Sequence, residues 1–213
     1  MKILILATAR SGGTSLGEAF GAQNYYQIHE PFVKKSDSHQ FLEYDRVHWK
    51  LQKHDNIVVR TLSQEKPPSI KYNITNFHQI LAKDFDKVIC LDRLNTIEHE
   101  QSHINLLWKM RNNRDVKNKW NIDEIPQEFI DEYYMDNQHH ILKEQKEQLK
   151  LSSDVLGVPI TWYEDLYGDD RILSFVVINK WGLDIDPFVL NEHLDPKRRY
   201  RTLKPLIFRI FTL

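Results

Sequence analysis

The chain of 213 residues is 41% hydrophobic, which suits a single domain with a buried core, and we interpret residues 1–213 as one domain. Its formal net charge of -1 and its pI near 6.8 argue against a nucleic-acid partner. Charge is unevenly spread, however. Residues 151–195 contain nine acidic and two basic side chains, whereas residues 196–213 contain six basic side chains and none that is acidic.

The cysteine content and the hydropathy pattern bear on the compartment. Cys90 is the only cysteine and lies in an apolar run, which favours a buried core residue and excludes an intramolecular disulfide. The apolar residues 1–7 are fewer than the core of a signal peptide needs, and they lead directly into Arg10 and two glycines. No stretch approaches the ~20 apolar residues that span a bilayer. The sequence therefore predicts a soluble, cytoplasmic protein without a transmembrane segment.

Apolar and β-branched runs predict four strands, over residues 3–7, 57–62, 87–91 and 158–163. Apolar residues at helical spacing follow the first of these runs and predict a helix. Asn95, with Glu98 three residues later, predicts the N-cap of a second helix. Residues 127–150 are predicted to form one long helix. Strands that alternate with helices indicate an α/β fold with a central parallel sheet flanked by helices. Such sheets bind ligands at the carboxyl ends of their strands.

A turn rich in small residues, 9–15, joins the first predicted strand to the first predicted helix. A helix N-terminus in this position presents backbone N–H groups and the positive end of a helix dipole to one point. Gly12 and Gly13 let the backbone approach an oxyanion, and the hydroxyls of Ser11, Thr14 and Ser15 add donors. The turn therefore predicts an anion site. The alternative is an ordinary glycine-containing turn with a hydroxyl N-cap.

The same turn departs from the ATP-binding pattern G-x-x-x-x-G-K-[ST] at two positions. Residues 7–14 follow its outline, but Ala7 replaces the first glycine and Gly13 stands where the lysine is expected. Arg10, inside the loop, would supply the cation instead. Its planar guanidinium suits an oxygen that lies between two groups.

Residues 10–16, R-S-G-G-T-S-L, resemble the 5′-phosphosulfate loop of the sulfotransferase family. The resemblance implies a three-layer P-loop-NTPase-like fold and 3′-phosphoadenosine 5′-phosphosulfate as cofactor. In that family the basic residue of the loop contacts the transferring group, and the hydroxyl residues hold the 5′-phosphate. The positions implied here are Arg10, Ser11, Gly12, Gly13, Thr14 and Ser15.

Later segments also resemble cofactor-binding parts of this family. Arg93 at a strand end, with Ser102 on the next helix, is similar to the 3′-phosphate site, where the two side chains can converge on one phosphate. Residues 161–166, T-W-Y-E-D-L, resemble a strand end whose tyrosine, here Tyr163, lies near the adenine. Tyr163 fits a core residue equally well. The basic residues 197–199 match the late basic residues of the family only loosely, and a solvated charge run is the simpler interpretation.

Residues 29–32, H-E-P-F, resemble the glutamate-containing segment of carbohydrate-acting sulfotransferases, particularly the bacterial trehalose-type members. The glutamate is the general base in those enzymes, which implies that Glu30 accepts the proton of an acceptor hydroxyl. His29 is the alternative base, because imidazole titrates near neutrality. A loop after the first helix with neither role is the structural alternative.

The resemblance implies transfer of a sulfuryl group to a hydroxyl of a carbohydrate or glycolipid acceptor, with no metal required. A P-loop kinase or NTPase is the competing enzyme, because residues 88–92 end in Asp92 like a Walker B strand, although Gly13 argues against it. A non-catalytic nucleotide-binding protein is the third alternative. The basic and apolar tail, 205–213, fits an oligomer contact, a peripheral membrane contact or a packed strand, and we favour packing.

Overall fold

A computed structural model describes residues 1–32, 44–112, 125–167 and 171–183 of the chain, with the exception of the side chains of residues 171–175. The tail and the basic residues Lys197, Arg198 and Arg199 lie outside these ranges. The strands are β1 (Lys2–Ala7), β2 (Tyr26–His29), β3 (Ile57–Leu62), β4 (Lys87–Asp92) and β5 (Ile160–Trp162). The helices are α1 (Gly13–Gly21), α2 (Tyr44–Lys53), α3 (Ile74–Ala82), α4 (Thr96–Arg111), α5 (Gln127–Met135), α6 (Gln138–Leu156), α7 (Tyr163–Tyr167) and α8 (Arg171–Trp181).

The five strands of the described ranges form one sheet in the order β2-β3-β1-β4-β5, and every neighbouring pair is parallel. β1 is central, so Leu4 lies opposite Val59 on one side and Val88 on the other. Parallel neighbours require crossover connections, and these place helices on both faces of the sheet. The chain therefore has the α/β, three-layer P-loop-like architecture that the sequence predicts.

Alternate residues of β1 divide the core between the two faces. Ile3 and Ile5 pack with α1, α7 and α8, whereas Leu4 and Leu6 pack with α2, α3 and α6. These four side chains have no solvent exposure. Burial on both faces explains why β1 is a continuous apolar run in the sequence. All five carboxyl ends lie at one edge of the sheet, where the loop between β1 and α1 also lies.

Two predictions about elements were wrong. The edge strand β2 was missed, because only Ile28 among its four residues is fully buried. The helix predicted over residues 127–150 is two helices, because Asn137 adopts a left-handed conformation (φ 55) that interrupts the helical hydrogen bonds. The predicted Asn95 cap is confirmed, since its side chain accepts a hydrogen bond from the Glu98 N–H at 3.1 Å. None of the described helices is long and apolar enough to cross a membrane.

Candidate anion-binding site

The loop between β1 and α1 reverses through two residues with left-handed backbone, Arg10 (φ 64) and Gly12 (φ 86). A Cβ at Gly12 would lie 2.6 Å from Cε2 of Tyr167 and 2.7 Å from Cδ2 of Tyr163, so position 12 requires glycine for both space and backbone conformation. The Tyr167 hydroxyl donates a hydrogen bond to the Gly12 carbonyl at 2.9 Å. Helix α7 thus holds the second half of the loop.

The first half of the loop is held by strand β4 and helix α6. The Thr8 hydroxyl donates to Oδ1 of Asp92 at 2.6 Å, and the Ala9 N–H donates to Oε1 of Gln145 at 2.6 Å. The fully buried Ser11 donates its hydroxyl to the Thr8 carbonyl at 2.8 Å. The structure therefore places the Ser11 hydroxyl inside the loop. A contact between Ser11 and a ligand phosphate stays a prediction.

Helix α1 begins at Gly13, its N-cap residue Gly12 has no side chain to cap it, and its first turn has no acidic residue. Thr14 is exposed and Ser15 is half-buried. The first N–H groups of a helix have no partner within the helix, and the helix dipole leaves partial positive charge at this end. The end of α1 thus has the donors that an anion needs.

A buried arginine lies beneath this helix N-terminus. Arg60, in the middle of β3, is 6% exposed, and a Cβ at Gly13 would lie 2.9 Å from its Nε. Its Nη1 donates to Oε1 of Glu30 at 2.5 Å, whereas Nε has no hydrogen-bond partner among the described residues. A guanidinium next to the positive end of a helix is unfavourable unless negative charge is close. Glu30 supplies part of that charge, and a bound anion would supply more.

Arg60 also fills the space beside position 13, where the ATP-binding pattern has a lysine. A side chain at Gly13 would collide with Arg60 Nε at 2.9 Å and would crowd Cβ of Ala7 at 3.1 Å. A cation from β3 therefore occupies the space beside position 13. Sequence analysis missed Arg60, and the available signal was a charged residue inside the apolar run of β3.

Arg10 reaches from the loop to helix α4, where its Nε donates to Oγ of Ser102 at 3.0 Å. Ser102 is fully buried and Arg10 is half-buried. The structure thus brings together two residues that the sequence assigned to different groups of the cofactor, the sulfuryl group and the 3′-phosphate.

Arg93 follows β4 and is 3% exposed. It donates to the carboxylate of Glu98, its Nε lies 3.7 Å from Oε1 of Glu164, and its Cζ lies 4.7 Å from the ring centroid of Tyr163. Glu98 precedes Ser102 by one helical turn on the same face of α4. Arg93, which is predicted to bind the 3′-phosphate, therefore lies next to the carboxylates of Glu98 and Glu164. Sequence analysis did not assign either carboxylate to this site.

Tyr163 is a residue of the core. It is 7% exposed, it packs in the cluster with Leu16 and Leu166, and its ring lies against Gly12. The structure thus places Tyr163 under the loop and against the Arg93 guanidinium. Its contact with adenine stays a prediction.

The two candidate bases lie at the end of β2 and differ in their surroundings. Nε2 of His29 pairs with Oε1 of Gln27 at 2.7 Å, and the ring lies against helix α1, where a Cβ at Gly17 would be 2.8 Å from its Cε1. Glu30 instead forms the ion pair with Arg60, and its side chain is 33% exposed. Glu30 is therefore the candidate that is linked, through Arg60, to the N-terminus of α1.

Asp92 is buried, and its carboxylate is already occupied. It accepts hydrogen bonds from the Thr8 hydroxyl and from Nζ of Lys146, whose distances to the two oxygens are 3.2 and 3.1 Å. The pKa of the neighbouring His99 is lowered to about 4, and burial is the largest cause of this shift. Near pH 7 the ring is therefore neutral, and its Nε2 donates a hydrogen bond to the Ala9 carbonyl. Both carboxylate oxygens of Asp92 therefore already accept hydrogen bonds within the protein, which argues against a Walker B role for Asp92.

A second carboxyl lies near the Arg60–Glu30 pair. Glu65 follows β3, and its Oε2 accepts hydrogen bonds from the Leu62 N–H at 3.3 Å and the Thr61 hydroxyl at 3.4 Å. Burial, with the negative charge of Glu30 as the next cause, raises the pKa of Glu65 to about 7. The hydrogen bonds and the charge of Arg60 oppose this rise without cancelling it.

The fold and the loop define the class of the chain as an α/β protein of the P-loop-like, three-layer type. No protein-family model matches the chain, and no curated protein matches it. Among solved structures, it is similar to the YorR protein from Bacillus subtilis, crystallised in complex with phosphorylated GDP, with 14% sequence identity and a TM-score of 0.40. The similarity covers 84% of this chain and 95% of that chain, and at this level it carries no argument about ligand or activity.

The half-buried Glu65 predicts a pH-dependent stability. Its pKa is about 7 in the folded protein against its ordinary value of 4.5, so the folded state binds this proton more tightly than the unfolded state. The free energy of unfolding therefore falls, because of this group, as the pH rises from about 4.5 to about 7. We expect Glu65→Gln to stabilise the protein by on the order of 2 kcal/mol at pH 8 and little at pH 5, measured by urea unfolding. Glu147→Gln, at an exposed position of α6, is the control. An equal effect of Glu65→Gln at both pH values would contradict this assignment.

Proposed function

We propose that the chain is a sulfotransferase that moves the sulfuryl group of 3′-phosphoadenosine 5′-phosphosulfate to a hydroxyl of a carbohydrate or glycolipid acceptor. The observation that carries the proposal is the buried Arg60 guanidinium beside the N-terminus of α1, where the loop has no lysine. Arg10 of the loop supplies a second cation, which is hydrogen-bonded to Ser102 of α4. Guanidinium groups present planar, forked donors, which suit a sulfuryl group and the oxygen that bridges it to phosphate.

The chemistry is an in-line displacement at sulfur. The acceptor oxygen forms a bond to sulfur while the bond between sulfur and the bridging oxygen breaks, and the acceptor proton passes to the Glu30 carboxylate. The bridging oxygen leaves with 3′,5′-adenosine bisphosphate. Arg10, Arg60 and the first N–H groups of α1 stabilise the negative charge that develops on this oxygen. The scheme requires no metal.

The position of Glu30 supports its assignment as the base. The Arg60 ion pair holds the carboxylate next to the N-terminus of α1, and one third of the side chain remains exposed. A general base must lie within hydrogen-bond reach of the proton that it abstracts. His29 instead packs against α1.

The 3′-phosphate is proposed to bind Arg93 by exchange with Glu98. The Glu98 side chain is 55% exposed and lies in the first turn of α4, so it can turn into solvent when a phosphate binds. Glu164 has a different role, because it accepts the N–H groups of Leu94 at 2.9 Å and Asn95 at 3.0 Å. Glu164 therefore holds the connection between β4 and α4 in place.

A P-loop kinase or NTPase is the second candidate, because the loop outline and the aspartate at the end of β4 suit it. Two observations argue against it. A lysine at position 13 would collide with Arg60, and the Asp92 carboxylate accepts hydrogen bonds from Thr8 and Lys146. The lysine that would bind the β- and γ-phosphates in such an enzyme is therefore missing from the loop, and the aspartate that would bind magnesium already accepts hydrogen bonds within the protein.

The nucleotide preference distinguishes these two enzymes. We expect 3′,5′-adenosine bisphosphate to raise the melting temperature without magnesium, and ATP with magnesium to raise it less, because at equal concentration the ligand that binds the folded state more tightly stabilises it more. Differential scanning fluorimetry at equal ligand concentrations measures the ranking. The opposite ranking would support the kinase and contradict the sulfotransferase.

The base can be tested separately from the nucleotide site. We expect Glu30→Gln to leave the stabilisation by 3′,5′-adenosine bisphosphate intact and to lower sulfuryl transfer by roughly 10²-fold or more, because the amide cannot accept the proton. Transfer is measured with sulfur-labelled donor and a panel of sugars, glycolipids and small alcohols. Glu147→Gln is again the control. Loss of nucleotide stabilisation in Glu30→Gln would show that Glu30 maintains the site and does not act as the base.

A further inference from the structure

A lysine of helix α6 lies among oxygen atoms at the carboxyl end of strand β4. Nζ of Lys146 donates hydrogen bonds to Oδ1 of Asp92 at 3.2 Å, to Oδ2 at 3.1 Å and to the Arg93 carbonyl at 2.6 Å. The Asp92 side chain is 5% exposed and the Lys146 side chain is 25% exposed. The three donors of the ammonium group thus have three oxygen atoms at the end of β4 as acceptors.

Divalent metal ions bind to the same kinds of oxygen atom. Magnesium and manganese prefer carboxylate and carbonyl oxygens, and in P-loop NTPases the aspartate that ends this strand holds magnesium. The residues at the end of β4 do not fit such an ion. Lys146 already contacts both carboxylate oxygens of Asp92, and its charge has the same sign as that of the ion.

We infer that Lys146 takes the place of a divalent metal ion at Asp92, so that the end of β4 has a cation supplied by the chain itself. The inference goes beyond the proposed function. It rests on the contacts of Lys146 and does not depend on which donor or acceptor the protein uses.

The charges around Asp92 are balanced without a metal ion. His99 lies with its Nδ1 3.8 Å from Oδ1 of Asp92, and its ring is neutral near pH 7 because burial lowers its pKa to about 4. The guanidinium of Arg93 has carboxylate partners on α4 and α7. The single charge of Lys146 therefore neutralises the carboxylate of Asp92. A divalent ion would add positive charge to a buried group that is already paired, where little water screens the repulsion.

The same ammonium group connects the two places where anionic groups are predicted to bind. Through Asp92 it reaches the loop between β1 and α1, because the Thr8 hydroxyl donates to Oδ1 of Asp92 at 2.6 Å. Through the carbonyl of Arg93 it holds the backbone of the arginine that is predicted to bind the 3′-phosphate. The adjacent Gln145 accepts an N–H group of the same loop at 2.6 Å. Helix α6 thus supports both places with side chains alone.

Removal of the ammonium group should create a site for a divalent ion. Lys146→Met keeps much of the apolar length of the side chain but leaves three oxygen atoms and one negative charge without their cation. We expect on the order of 10 mM manganese chloride to raise the melting temperature of this variant by about 3 °C more than that of the wild-type protein, with sodium chloride at matched ionic strength as the reference.

Three further variants assign the effect to the pair of Lys146 and Asp92. Lys146→Arg retains a cation and should respond to manganese like the wild-type protein. Lys150→Met, which removes an exposed lysine from the same helix, should do the same. Asp92→Asn combined with Lys146→Met should lose the gain, because the carboxylate that would bind the ion is gone. A lysine that only fills space would not be replaced by a metal ion in this pattern.

A measurement on the wild-type protein does not depend on how the variants fold. Bound manganese broadens the nuclear magnetic resonance signals of nearby amides, so a titration of labelled wild-type protein should leave the signals of Ala9, Asp92 and Arg93 as intense as those of the rest of the chain. Selective loss of these three signals would overturn the inference. A folded Lys146→Met that gains no stability from manganese, or a gain that persists with Asp92→Asn, would also overturn it.

The inference and the proposed function fail separately. If manganese follows the expected pattern but 3′,5′-adenosine bisphosphate does not stabilise the wild-type protein, the donor assignment fails while the role of Lys146 stands. If manganese binds at Asp92 in the wild-type protein, the role of Lys146 fails whether or not the nucleotide binds.

Discussion

Positive charge beneath the N-terminus of helix α1 is the constraint on which the rest of the site depends. Arg60 is buried there with one direct carboxylate partner, and the dipole of α1 adds charge of the same sign. This arrangement accounts for three features together. Gly13 has no side chain because Arg60 fills the adjacent space, Glu30 is held at the sheet edge by an ion pair, and the first N–H groups of α1 face a region that favours an anion.

The loop above Arg60 is held in place by side chains and backbone groups of the surrounding elements. Hydrogen bonds from Thr8, Ala9 and Tyr167 connect it to β4, α6 and α7, three elements that are distant in sequence. The parallel sheet brings these elements together, because all its strands end at the same edge. A preformed site loses little conformational entropy on binding. The buried core on both faces of β1 thus supports the loop at its carboxyl end.

The sequence predicts the parts of the fold that repeat a local pattern. β1, β3 and β4 are apolar runs buried on both faces, and the Asn95 cap is a local hydrogen bond, so all four follow from neighbouring residues. β2 is too short to show a period, and the break at Asn137 lies in a stretch without glycine or proline. Among the site residues, the loop glycines are visible in the sequence. The role of Arg60 is not, because it depends on a contact with Gly13, which is 47 positions earlier in the chain.

The most direct test of the anion site is a nuclear magnetic resonance titration of isotopically labelled protein with 3′,5′-adenosine bisphosphate. If the N-terminus of α1 binds the 5′-phosphate, the backbone amides of Gly12, Gly13 and Thr14 and the Nε–H of Arg60 should shift the most, since they lie nearest to the bound charge. Shifts that are largest elsewhere in the chain, with these four signals unchanged at saturation, would contradict the assignment of the loop as the ligand site.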